Sequence, residues 1–171
     1  MLDRVREACF GKLMDLVDEA RVLDLFAGTG SLGLEALSRG AASARMVERH
    51  AKTAQLLAAN VETLGLEAEA EVVTGDALRP RSWRPADSPP GERWADLIFF
   101  DPPYPFLSDP AKLAALWEAL SELTRDVLKE EGILVFHTPG RGVWRSRMEE
   151  RRVLDERTYG TSSLWYLGAE A

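Results

Sequence analysis

The chain of 171 residues contains one cysteine, two histidines, one asparagine and one glutamine, and its 21 lysines and arginines are outnumbered by 28 aspartates and glutamates, for a net charge of −7. Each scarcity removes a class of protein. Cys9 alone makes no internal disulfide, and the few histidines and cysteines lie too far apart in sequence to assemble a metal-ligand set, so no metal is expected. Cys9 falls on the apolar side of a first helix with Val5 and Met14, which predicts core packing, and a reducing cytoplasm is the expected setting. No apolar run reaches the ~18 residues of a membrane span and no secretory leader is visible, so nothing places the chain in or across a membrane. The negative balance on its face suits neither nucleic acid nor an anionic membrane, because phosphate binding draws on lysine and arginine. Distribution qualifies the total. Arg79, Arg81, Arg84 and Arg93 punctuate one loop, and Arg141, Arg145, Arg147, Arg151, Arg152 and Arg157 crowd the late segment. Each group reads either as a local basic patch or as solvated arginines balanced by Glu149, Glu150, Asp155 and Glu156.

What is present fits one α/β domain over residues 1–171, with 46% hydrophobic residues to fill a core. Residues 1–18 read as an N-terminal helix, about Asp3 to Leu16, residues 21–138 as the core, and residues 139–171 as closing strands. Short apolar runs predict strands at Arg21–Phe26, Ala44–Val47, Ala70–Val73, Leu97–Phe100 and Ile133–Phe136. Arg152–Leu154 and Ser163–Leu167 add two more. Ala51–Leu64 and Ala111–Leu128 are helical, the latter with Leu113, Leu116, Trp117, Leu120 and Leu123 in a stripe that reads as packing. Leu78 to Glu92, with Trp83 and four prolines, has no clear period and either contacts a substrate or simply connects. The sum is a seven-stranded, mainly parallel sheet with helices on both faces.

The most informative segment is Asp101-Pro102-Pro103-Tyr104, which directly follows the apolar run Leu97-Ile98-Phe99-Phe100. Two prolines fix φ near −65° and remove two N–H groups, so the strand must end on a stiff rim. On such a rim the Asp101 carboxylate and the Pro102 carbonyl can both accept from one exocyclic amino group, while Tyr104 offers a ring for stacking. Drawing on the amino hydrogens restores lone-pair density that conjugation with the base removes. The base must first leave its stack, and stacking on an aromatic ring returns roughly 1–3 kcal/mol. The plainer reading is a proline-terminated strand with Asp101 in a turn.

A cofactor site is written upstream. After the first strand, Ala27-Gly28-Thr29-Gly30-Ser31-Leu32-Gly33 opens a helix, and Gly28 and Gly30 let a ligand approach the backbone. Gly28, Gly30 and Gly33 match the dinucleotide fingerprint, and Glu48 stands twenty residues after Gly28. A nicotinamide cofactor must therefore be weighed. Asp24 opposes it: a carboxylate there repels a pyrophosphate but favours the ammonium and sulfonium of S-adenosylmethionine. Glu48 suits the ribose hydroxyls of either cofactor. Gly75-Asp76-Ala77 ends the third strand, where a carboxylate can accept from an adenine amino group or merely make a turn. All four sites fall at C-terminal strand ends, the edge at which open α/β sheets bind ligands.

Asp24-Leu25-Phe26-Ala27-Gly28-Thr29-Gly30, Glu48, Gly75-Asp76-Ala77 and Asp101-Pro102-Pro103-Tyr104, in that order, resemble the Rossmann-like S-adenosylmethionine methyltransferases of exocyclic amino groups. With Asp3-Arg4-Val5-Arg6-Glu7, the run Val22 to Ala42, and Tyr159-Gly160-Thr161 before Leu164-Trp165-Tyr166, the chain is similar to the bacterial 16S ribosomal RNA guanine-N2 methyltransferases over nearly its whole length. The resemblance implies an antiparallel last strand and S-adenosylmethionine held by Asp24, Phe26, Gly28, Gly30, Glu48, Asp76 and Ala77. Catalysis would fall to Asp101, Pro102 and Tyr104, which present the guanine N2. Arg4, Arg6 and Pro103 would meet the RNA substrate, 16S ribosomal RNA or an assembling small subunit, from a cytoplasmic monomer. Arg4 and Arg6 otherwise read as a solvated helix face pairing with Asp3 or Glu7. Proteins of this family usually carry a further basic segment ahead of the residues matched by Met1-Leu2-Asp3, thought to contact RNA. His137 stands where they often have an acidic residue, and reads as a satisfied core or rim histidine. A DNA amino-methyltransferase and a non-catalytic RNA-binding module remain alternatives; a glutamine methyltransferase usually has Asn in place of Asp101.

Overall fold

A computed structural model describes residues 1–89, 91–140 and 144–171. Seven strands form one sheet in the order β3-β2-β1-β4-β5-β7-β6, comprising β1 (Arg21–Leu25), β2 (Ser43–Glu48), β3 (Ala70–Thr74), β4 (Ala95–Phe100), β5 (Leu128–Pro139), β6 (Val153–Tyr159) and β7 (Ser162–Leu167). The first five run parallel, and β7 returns antiparallel between β5 and β6. The helices are α1 (Asp3–Lys12), α2 (Met14–Val17), α3 (Gly33–Ser38), α4 (Ala51–Leu64), α5 (Tyr104–Ser108), α6 (Pro110–Glu122) and α7 (Arg145–Met148).

Central strands carry apolar residues on both faces because helices cover both. Val22, Leu97 and Phe99 face α1, α3 and α4 through Phe10, Ala36 and Leu57. Leu23, Leu25, Ile98 and Phe100 face the other layer, where Leu107, Leu116, Leu120, Leu123 and Trp144 pack. The predicted stripe on α6 is thus a packing stripe, with Leu113 and Trp117 at its partly buried margin. Asp109 caps this helix, its side chain accepting from the N–H groups of Ala111 at 3.0 Å and Lys112 at 3.2 Å.

Several boundaries differ from the sequence expectation. The first helix does not run to Leu16; it breaks at Leu13 (φ −90°, ψ 4°). The break buries Cys9 and Leu13 and turns Met14 out to 71% exposure, so Met14 does not share the apolar side with Cys9. The helix expected to begin at Ala111 is preceded by the short α5 and ends at Glu122, with a wide turn over Leu123–Val127 leading into β5. The penultimate strand extends to Tyr159, its exposed polar residues hydrogen-bonded to β7. Trp83 is buried, its Nε1–H donating to the Ala77 carbonyl at 2.8 Å, so the irregular loop is anchored in the core.

Several arginines of the two suspected patches are tied to the fold. Arg84 donates to the carbonyls of Glu92 (2.7 Å), Asp126 (2.9 Å) and Pro89 (3.3 Å). Arg93 reaches the Glu170 carbonyl at 2.7 Å, Arg151 donates to Ser121 Oγ at 2.7 Å, and Arg157 pairs with Asp155 at 2.8 Å. Arg141 and Pro90 lie outside the described residues. No helix among the described residues is long and apolar enough to cross a membrane.

Candidate active site

The site is built by strand register. Leu25 pairs with Val47 and with Phe100, and Phe100 with Phe136. One residue further along, Phe26, Glu48, Asp101 and His137 therefore stand side by side across the C-terminal edge of four adjacent strands. A cavity of about 1280 Å³ opens along this row, bounded by Phe26, Gly28, Glu48, Asp76, Ala77, Asp101, Pro102, Pro103, Tyr104 and His137, and walled opposite by the β6–β7 turn Tyr159–Ser162.

Backbone donors aim the carboxylates. Glu48, 8% exposed, accepts from the Gly28 N–H at 3.0 Å through one oxygen and from the His50 N–H at 2.7 Å through the other. Each oxygen keeps a lone pair for further donors. Asp76 accepts from the Leu78 N–H at 2.9 Å, and the Trp83 bond to Ala77 braces the same turn. Gly28 adopts φ +59° and has open space where a Cβ would stand, so the backbone is bare toward the cavity. Phe26 is left-handed as well, at φ +64°, a strain held by its ring contacts to Phe100 at 5.6 Å and Phe106 at 5.7 Å.

Asp24 lies beneath this surface rather than on it. Its side chain is 1% exposed, Oδ2 accepts from the Gly33 N–H at 2.9 Å, and Oδ1 is buried with no partner among the described residues. Burial pushes its carboxyl up to about 7, with the charges of Asp101 and Glu48 adding and the Gly33 hydrogen bond opposing. At neutral pH the group is therefore only partly ionised, and its preference for a cation is weaker than its sequence position suggested. Gly30 is also displaced from its expected place. A Cβ there would run into the side chains of Leu57 and Leu34, so this glycine serves the packing of the turn against α3 and α4 and does not line the cavity.

Asp101 is the most connected group. Oδ1 lies 2.7 Å from His137 Nδ1, and Oδ2 lies 3.3 Å from the Met1 amino group. Burial alone would raise this carboxyl; the hydrogen bond and charge of His137, with the Met1 amino group, outweigh it and hold it below the ordinary carboxylate range. Pro102 is buried, while Pro103 and Tyr104 are exposed, the latter by 50%. Arg4 and Arg6 do not reach the cavity. Arg4 is exposed and Arg6 pairs with Asp3 at 3.2 Å, because α1 turns Val5, Cys9 and Phe10 inward and leaves the intervening arginines outside. Met1 and Leu2 line the opening instead. His137 was read as a core or rim residue; it is 4% exposed, bonded to Asp101 and on the cavity wall. The available signal was positional, since both residues directly follow a buried apolar run.

Parallel strands in this order, an antiparallel β7 and a crevice of carboxylates across the strand ends define a Rossmann-like methyltransferase fold. The chain belongs to the family described as Conserved hypothetical protein 95, whose model matches residues 1–168. It is 39% identical to YlbH of Bacillus subtilis over 133 residues, 78% of this chain and 67% of YlbH. To Ribosomal RNA small subunit methyltransferase D of Escherichia coli strain K12 it is 40% identical over 102 residues, 60% of this chain. That match spans about half of the E. coli protein, 48% of its length. The crystal structure of an RNA methyltransferase from Salinibacter ruber in complex with S-adenosyl-L-homocysteine superposes with a TM-score of 0.69 over 100% of this chain and 94% of that one. At 16% identity this is a likeness of fold.

Proposed function

We propose that this chain transfers a methyl group from S-adenosylmethionine to the exocyclic N2 amino group of a guanine in 16S ribosomal RNA. The observation that carries the reading is the single cavity that joins the carboxylate row to the Asp101-Pro102-Pro103-Tyr104 rim. The residues fit the donor. Glu48 keeps free lone pairs for ribose hydroxyls, Asp76 and Ala77 line the same cavity and would flank the adenine, and Gly28 leaves the backbone open toward it. Asp24, buried below with an unpartnered oxygen, suits a cationic ligand nearby, which would favour its ionised form.

S-adenosylmethionine supplies a methyl group on a positively charged sulfur that an amine lone pair can displace in line. The work of the protein is placement. Asp101 and the Pro102 carbonyl accept the two amino hydrogens and so turn the nitrogen lone pair toward the donor, and Tyr104 stacks on the extruded base. Asp101 is also the nearest acceptor for the proton released once the nitrogen is alkylated. Preorganisation of this kind supplies up to roughly 7–11 kcal/mol. Relatives named as small-subunit ribosomal RNA methyltransferases support the RNA class, and the proline rim supports an amino-group target.

The test is labelled methyl transfer to 16S RNA, both naked and in assembling small subunits, followed by digestion and mass spectrometry of the nucleosides. N2-methylguanosine is the expected product. Methylated adenine or cytosine, label in DNA alone, or particle binding without transfer under conditions where the cofactor binds would overturn the assignment.

A further inference from the structure

We infer that His137 is a positioning residue for Asp101: its Nδ1–H holds one carboxylate oxygen, so that the remaining lone pairs face the nucleobase amino group. This rests on the reading of Asp101 as the amino acceptor, and concerns a histidine on β5 rather than the proline rim itself.

Backbone geometry makes the pairing obligatory. Phe100 and Phe136 are register partners, so the next residue on each strand emerges beside its neighbour, and Nδ1 comes within 2.7 Å of Oδ1. The imidazole cannot swing away. His137 is 4% exposed, pairs with Leu164 of β7 on its other side, and has the Tyr104 ring centroid 6.1 Å from its own. Asp101 is followed by two prolines that fix the chain, leaving its side-chain torsions as the main freedom in the acceptor. The bond to His137 removes that freedom.

The second ring nitrogen, Nε2, is buried and has no hydrogen-bond partner among the described residues. In an imidazolium, that atom would be an unsatisfied N–H donor on a buried charge; in the neutral Nδ1–H tautomer it is only an unpaired acceptor, the smaller penalty. Nδ1–H is present in the neutral tautomer and in the imidazolium alike, so the hold on the Asp101 oxygen needs only that proton. Asp101 Oδ2 accepts from the Met1 amino group at 3.3 Å on the cavity wall, and a nucleobase amino group would take that donor's place.

The experiment compares His137→Asn, whose amide nitrogen can take the place of Nδ1, with His137→Phe, which keeps a ring and loses the donor. For His137→Phe, kcat is expected to fall roughly 10- to 100-fold, the scale of a misplaced reacting group, with KM for RNA and affinity for S-adenosylhomocysteine close to wild type. His137→Asn is expected to recover most of that loss. Nitrogen-15 NMR of the histidines provides a readout without substrate: the Nδ1–H tautomer is expected in the wild type, with its bonded proton signal lost in Asp101→Ala. Wild-type kcat in His137→Phe, equal losses in the two variants, parallel collapse of cofactor affinity, or an Nε2–H tautomer in the wild type would overturn the inference. A wild-type protein with the expected tautomer but no methyl transfer would overturn the functional reading instead.

Discussion

The acids at the ends of β2, β3 and β4 and the arginines around the sheet's rim differ in what their charges meet. Glu48, Asp76 and Asp101 each accept from protein donors and still border the cavity. Arg84, Arg93 and Arg151 point into carbonyls, a hydroxyl and a carboxylate of their own chain. By sequence the arginines read either as a nucleic-acid contact or as a solvated face, while Glu48, Asp76 and Asp101 already read as site residues. In the folded chain Arg84, Arg93 and Arg151 are structural, and the acids remain functional candidates. Net charge describes a protein's distant field; only placement tells which groups remain available to a ligand.

The sharpest way to break this contrast is Asp101→Ala. Methyl transfer is expected to fall by about 10³-fold or more, as when a preorganised electrostatic partner is removed, while calorimetric affinity for S-adenosylhomocysteine stays near wild type. Normal turnover would detach the acid row from the chemistry. Asp24→Asn gives the next effect, read in thermal melts across pH. The folded-state value of Asp24 is raised, to about 7, above the ordinary 3.8, so its contribution to stability is full below pH 4 and is lost as pH rises toward and through 7. The wild type should therefore lose stability relative to Asp24→Asn over that window, and parallel pH curves would show that Asp24 is ionised normally. The smallest effects are expected from Arg84→Ala and Arg151→Ala: a stability loss of about 1 kcal/mol each from broken hydrogen bonds, with RNA affinity unchanged in filter binding. Weaker RNA binding at unaltered melting temperature would restore the basic-patch reading.

The strands that build the site were legible because parallel strands covered on both faces must be apolar throughout, and Val22–Leu25 and Leu97–Phe100 are nearly so. Asp24 is the exception within them, and it is the residue that the fold buries with an orphaned oxygen. Edge strand β6 was legible only in part: Asp155, Glu156 and Arg157 interrupt any apolar pattern, and its pairing comes from β7 rather than from burial. Helix α5 was hidden because Pro102 and Pro103 read as the stiff end of a strand, although Pro103 caps a short helix whose first turn tolerates a further proline. Gly30 and Gly28 look equivalent in a motif, yet one faces Leu57 and the other open space, a distinction made by the packing of α4. The bond between His137 and Asp101 crosses 36 residues and depends on how β5 aligns with β4, which local pattern does not encode.

Because Phe26, Glu48, Asp101 and His137 all stand one step beyond a laddered pair, their spacing is inherited from interstrand hydrogen bonds and owes little to loop conformation. Insertions and deletions should then divide cleanly by location. Added residues in the segment from Leu78 to Glu92 leave the acceptor geometry where it is, whereas deleting one residue within β4 would present the wrong face of the strand and seat Pro102 where the aspartate belongs.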